Sequence, residues 1–60
     1  MNLKERRASA GLTQDAVASA LNIQRTTVSM WESGKSSPTA DRLPALAKLY
    51  GCTIDDLFDQ

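Results

Sequence analysis

The sequence predicts a compact all-α bundle of five short helices, and three observations carry that prediction. Apolar residues recur at three- and four-residue spacing, the period of one helix face. Gly11, Asn22, Gly34 and Gly51 each follow one of these segments, where a left-handed residue closes a helix. Thr13, Thr39 and Thr53 stand just ahead of three others, where a hydroxyl caps the incoming turn.

Residues 2–10 are predicted as the first helix, with Leu3 and Ala10 inward and charges outward, ended by Gly11. Thr13 caps the second, over 14–21. The third starts at Gln24 or Arg25, runs to Ser33 and stops at Gly34, and Lys35–Thr39 is a short turn-rich loop. The fourth spans about 40–50, with Leu43, Leu46, Ala47 and Tyr50 as its apolar stripe and Leu49 beside it. Its start is open. With Thr39 as the cap, Pro44 falls just past the first turn; with Asp41 as the cap, Pro44 sits inside it. Gly51 ends that helix. Thr53 then caps a last one over 54–58, with Asp56 three residues on as an acidic capping box and Ile54, Leu57 and Phe58 as the apolar face.

Gln14 to Ser33, QDAVASALNIQRTTVSMWES, is the most informative stretch. Val17, Ala18 and Leu21 lie on one face of its first helix, Ile23 closes the turn, and Val28 and Trp31 face back from its second. Small Ala18 lets the two helices cross closely. Asn22 takes the turn position that wants positive φ. The faces left over carry Gln24, Arg25, Thr26, Thr27, Ser29 and Met30, polar and lightly charged, as suits a helix that reads base edges in a major groove. The pair reads as a helix-turn-helix.

The rest of the chain sets bounds. Sixty residues make one domain, which buries only roughly 60% of its unfolded surface and has no room for a walled active site. An enzyme is not expected: there is no His, no serine paired with a base and no phosphate-cradling Gly-rich loop. No cofactor and no metal site are expected either, because one Cys and no His exclude a disulfide framework and an ordinary zinc site. The cluster of Asp55, Asp56 and Asp59 reads as a solvated acidic end. No run of 18 apolar residues spans a membrane and no secretory signal opens the chain, so a reducing cytoplasm is the expected compartment. Net charge is zero, a mild argument against nucleic acid. The charge is nevertheless polarised: residues 1–35 carry five basic side chains against three acidic, and residues 36–60 two against four. The basic part surrounds the helix-turn-helix, where phosphate contact needs it.

The chain resembles the xenobiotic-response-element type of helix-turn-helix regulators, which includes the lambdoid phage repressors and Cro proteins. RRASAGLTQDAVASAL, TTVSMWESGKSSP and DRLPALAKLYGCTIDDLF carry the resemblance over nearly the whole length. Each motif alone is weak, and together they are strong. The resemblance implies a lambda repressor-like fold and a sequence-specific DNA-binding regulator, most simply a repressor acting on an inverted-repeat operator as a homodimer. Gln14 would bond a phosphate, and Gln24, Arg25 and Thr26 would face base edges. Thr27, Ser29 and Met30 would lie in or beside the groove, and Lys35 and Ser36 would hold a phosphate on the other side. Arg7 would pair with Glu32, and Cys52, Ile54, Leu57 and Phe58 would face a second chain in a weak dimer completed on DNA, although the apolar residues of the fifth helix could equally close the monomer's core against the first. Asn22 stands where the family usually has Gly.

Ordinary readings stand beside these. Gln24 and Thr26 serve equally as caps or surface, and Lys35 suits a helix C-terminus through the dipole alone. Met30 fits an exposed position beside the core, Trp31 fits the core better than a stacking platform, and Cys52 reads as a small hydrophobe. An alternative function keeps the fold: an antitoxin or protein-interaction module whose partner is a toxin or effector. The expected setting is a bacterial or phage-encoded, nucleoid-associated protein.

Overall fold

Helices form where the caps and stops dictate. The computed structural model describes residues 1–58; Asp59, the last member of the acidic cluster, lies outside them. Five α-helices are present among these residues: α1 Leu3–Ser9, α2 Gln14–Leu21, α3 Arg25–Ser33, α4 Leu43–Tyr50 and α5 Ile54–Phe58. A single 3-10 turn, Ala40–Arg42, leads into α4, and no strand is found among the described residues. The body measures 24 × 22 × 20 Å.

The first four helices end alike. A left-handed residue follows each, directly after α2, α3 and α4 and one position later, at Gly11, after α1, and the next amide reaches back to close the turn: Leu12 N–H to the Arg7 carbonyl, Ile23 to Ala18, Lys35 to Met30, Cys52 to Ala47. Asn22 does this at φ 57°, the one non-glycine with positive φ among the described residues. Two N-termini are capped by side chains. Thr13 Oγ1 accepts from the Ala16 amide at 3.0 Å. Thr53 and Asp56 cap each other, the Thr53 amide donating to the carboxylate and the Asp56 amide to the hydroxyl, both at 3.1 Å.

The start of the fourth helix corrects both expectations. Pro44 has no N–H to reach back four residues, so the turn ahead of it closes at three: the Arg42 amide bonds the Thr39 carbonyl at 2.9 Å. The α-helix proper begins at Leu43 with Pro44 in its first turn. The Thr39 hydroxyl makes no cap and donates to the Asp41 carboxylate instead.

Leu3, Val17, Ala18, Val28, Leu46, Ala47, Tyr50 and Leu57 form one core to which every α-helix contributes. Leu12, Leu21, Ile23, Trp31, Leu43, Leu49 and Cys52 pack around it, partly buried. Trp31 therefore lies at the edge of the core rather than inside it. Ala10, expected inward, is exposed: α1 stops at Ser9, and Leu12 packs on the core after the Gly11 turn. The two ends of the described chain meet where the Asn2 amide bonds the Leu57 carbonyl at 3.1 Å, with Arg6 and Asp56 forming a looser ion pair at 3.9 Å nearby.

Candidate nucleic-acid interface

The residues expected to meet DNA sit on the outer side of the α2–α3 unit, held from behind by a half-buried ion pair. Arg7 Nε donates to Glu32 Oε2 at 2.6 Å, and Nη2 to Oε1 at 3.2 Å. Its Nη1 donates to the Leu12 carbonyl at 2.8 Å. One guanidinium thus fixes the end of α3 and the turn between α1 and α2. The two side chains are only 14% and 5% exposed. Burial alone would push the Glu32 carboxyl up, but hydrogen bonds from Arg7 and Gln14, with the charges of Arg7 and Lys4, outweigh it and hold it below its ordinary value. The hydrogen bond to Glu32 raises Arg7 in turn, against its own burial.

Gln14 carries the network outward. Its Nε2 donates to Glu32 Oε1 at 3.0 Å, and its Oε1 accepts from Arg25 Nη1 at 3.1 Å. The amide has one donor end and one acceptor end, so it joins a half-buried carboxylate to an exposed guanidinium without conflict. Arg25 Nε lies 3.6 Å from Asp15 Oδ1. The chain of contacts runs Arg7, Glu32, Gln14, Arg25, Asp15, from the inside of α1 to the open first turns of α2 and α3. The helical spacing puts Arg25 on the outer face of α3 and the family resemblance singles out Gln14, but neither shows their bond, because the partners are eleven residues apart on different helices.

The other expected residues lie on α3 or beside its two ends. Gln24 precedes α3 in extended conformation; its side chain makes no helix cap and accepts weakly from the Thr26 hydroxyl at 3.4 Å. Thr26 is exposed, Thr27 and Ser29 are half-buried, and Met30 is 39% exposed. Ser29 and Ser33 line a shallow hollow with Lys4, Gln14 and Glu32. Lys35 and Ser36 are exposed beyond α3, but their amides bond the Met30 carbonyl at 3.0 and 3.4 Å. Only their side chains are left free for a partner.

The expected dimer set divides. Leu57 is fully buried in the monomer, which corrects its assignment to a surface between chains: it faces the core that α5 shares with α4, and its carbonyl bonds Asn2. Cys52 is half-buried against the core. Ile54 and Phe58 are exposed at 38% and 52%.

Sequence reasoning missed Arg42. Its Nη1 donates to the Leu21 carbonyl at 3.1 Å, supplying the basic group that the last turn of α2 lacks. No local signal marks this pairing across twenty-one positions.

A helix-turn-helix family model matches residues 3–57, from the first residue of α1 to the buried leucine of α5. The chain belongs to the helix-turn-helix family of the xenobiotic-response-element type. Its fold is the lambda repressor-like one, all-helical with five α-helices among the described residues. The helix-turn-helix domain is 40% identical over 55 residues to the HTH-type transcriptional activator BcrR of Enterococcus faecalis, covering 92% of this chain and 27% of that protein. It is 41% identical over 51 residues to the HTH-type transcriptional regulator DicA of Escherichia coli, covering 85% of this chain and 38% of DicA. An uncharacterized HTH-type transcriptional regulator of Archaeoglobus fulgidus is 32% identical over 56 residues, 93% of this chain and 80% of that one. The chain thus spans well under half the length of the first two.

Proposed function

We propose that this domain binds double-stranded DNA at a specific sequence and regulates transcription, with α3 in a major groove and the start of α2 on the adjoining backbone. The observation that carries the reading is the bond between Gln14 and Arg25. It joins the first turns of α2 and α3 on one open face, so a side chain suited to phosphate stands beside one suited to guanine. Arginine meets guanine O6 and N7 together, a contact that discriminates by roughly 1–3 kcal/mol. Gln24 and Thr26 flank it at the base edges. Thr27 and Ser29 reach bases or phosphate, Met30 suits a thymine methyl, and the side chains of Lys35 and Ser36 take the far phosphate.

The relatives are named as transcriptional regulators, which supports the same role. Repression by occlusion of a promoter is the simplest form, and it acts on the nucleoid. The exposed pair of Ile54 and Phe58, with Cys52 beside it, supports a weak homodimer completed on an inverted repeat. Its half-sites would lie about 34–36 Å apart, one turn of the duplex.

Selection of random duplexes by the purified protein tests this, run in parallel with Arg25→Ala. An inverted repeat should be enriched, and the variant should lose or relax one base pair in each half-site. Enrichment of nothing at low salt would overturn the reading in favour of a protein partner.

A further inference from the structure

Arg25 is held by two unlike groups from α2, and the difference between them bears on what it accepts. Gln14 Oε1 is a neutral acceptor at 3.1 Å; Asp15 Oδ1 is a carboxylate at 3.6 Å, on a side chain 81% exposed. The basic half of the chain contains three acids. Glu32 is neutralised by Arg7 at the back of the unit, and Glu5 stands on α1. Asp15 is the acid of α2, and it sits beside the cation proposed to enter the groove.

Resting on the DNA-reading role, we infer that Asp15 is a specificity-determining residue that keeps Arg25 off phosphate and leaves it open to guanine. A phosphate oxygen that approaches Arg25 brings a full negative charge within a few ångströms of the Asp15 carboxylate and is repelled by it. Guanine O6 and N7 are neutral acceptors and meet no such repulsion. The geometry leaves room for them. Gln14 takes one N–H of Nη1, and Asp15 lies beside Nε at 3.6 Å, longer than a hydrogen bond, so the second N–H of Nη1 and both on Nη2 remain for the paired donors that guanine needs. The pair adds little to stability, since both partners are largely in water. Its effect falls on the choice between two ligands. A domain with no net charge is expected to make few phosphate contacts, and the carboxylate would lower the sequence-independent share further.

Fluorescence-anisotropy titrations over a salt series, with the duplex enriched from the random pool and a scrambled duplex of equal length, test the inference. Asp15→Asn should bind the scrambled duplex about threefold tighter or more and steepen its salt dependence by about one phosphate's worth. Its affinity for the enriched duplex should stay within about twofold of wild type, so the ratio of the two falls. Asp15→Glu should restore the ratio, and Glu5→Gln, which removes one acid elsewhere, should leave it unchanged. An undiminished ratio in Asp15→Asn, or an equal fall in Glu5→Gln, overturns the role of Asp15 while leaving the DNA reading intact. Equal binding of both duplexes by the wild-type protein overturns both.

Discussion

Arg7 and Glu32 form a two-point ion pair almost out of water, with bonds of 2.6 and 3.2 Å between side chains 14% and 5% exposed. Such a pair gains little over a well-packed apolar pair, but breaking it leaves a charge stranded.

Arg7→Ala is therefore expected to destabilise the domain by about 3–5 kcal/mol. A chain of this size has a total stability of roughly 3–9 kcal/mol, so the variant should lose a third of it or more, and all of it if the wild type lies at the low end of that range. Urea unfolding followed by helical circular dichroism measures this. Arg7→Met combined with Glu32→Gln should recover part of the loss by removing the stranded charge. A cost below about 1 kcal/mol for Arg7→Ala would mean the pair behaves as an exposed one.

Glu32 also sets an acid limit. Its folded-state carboxyl lies below the ordinary value of 4.5, so its contribution is present above that pH and is lost as pH falls through the lowered value. Asp41, through the Thr39 hydroxyl, and Asp56, through the Thr53 amide and hydroxyl, are shifted the same way. The thermal midpoint should drop as the solution is acidified below pH 4.5, and Glu32→Gln should show a shallower drop from a lower start. Identical slopes in the two proteins would contradict the assignment.

Tyr50 gives the opposite limb. Burial in the core pushes its hydroxyl up to about 12, helped by the charge of Glu32 and opposed by that of Arg7. Here the folded value is raised above the ordinary 10, so the stability is whole below pH 10 and declines as pH climbs towards 12. The chain has one tyrosine, so tyrosinate absorbance reports this residue alone. It should appear together with loss of helix; tyrosinate formed near pH 10 in a folded protein would show an accessible hydroxyl.

Asn22 holds a left-handed conformation at φ 57° between α2 and α3. Asn22→Ala should cost about 1–2 kcal/mol, the penalty for a Cβ in that region without the local hydrogen bonding that asparagine offers. Asn22→Gly should lie within about 0.5 kcal/mol of wild type, since easier backbone geometry is offset by the freer unfolded chain. Chemical denaturation of the pair decides it, and equal effects of Ala and Gly would show that backbone conformation is not what matters there.

What could be read from the sequence is what neighbouring residues decide among themselves. The Thr53–Asp56 capping box, the Thr13 cap and the Asn22 turn each depend on residues within three or four positions, and all are present. Pro44 marks the edge of that range. Its missing N–H was legible, but whether the preceding turn closes at three residues or four depends on where the chain enters from the loop. Ile54, Leu57 and Phe58 show a second limit. Three apolar residues on one short helix compete for one inward place, and packing of α5 against α4 and the core awards it to Leu57. Of the candidate interface, the positions of the polar side chains were legible. The Gln14–Arg25 and Arg42–Leu21 bonds were not, because each requires knowing how two helices cross.

The left-handed closures of α1 to α4 bear on the speed of folding. Each of these helices satisfies its final carbonyls with the residues that follow at once, so most of its ending forms without a distant partner. What remains is to close short connections, the longest between α3 and α4, before the Arg7–Glu32 and Asn2–Leu57 contacts lock the bundle. Searches that short place a helical domain among the microsecond-to-millisecond folders. After any transient opening, this one would be back in its native arrangement before a slower encounter with another unfolded chain could intervene.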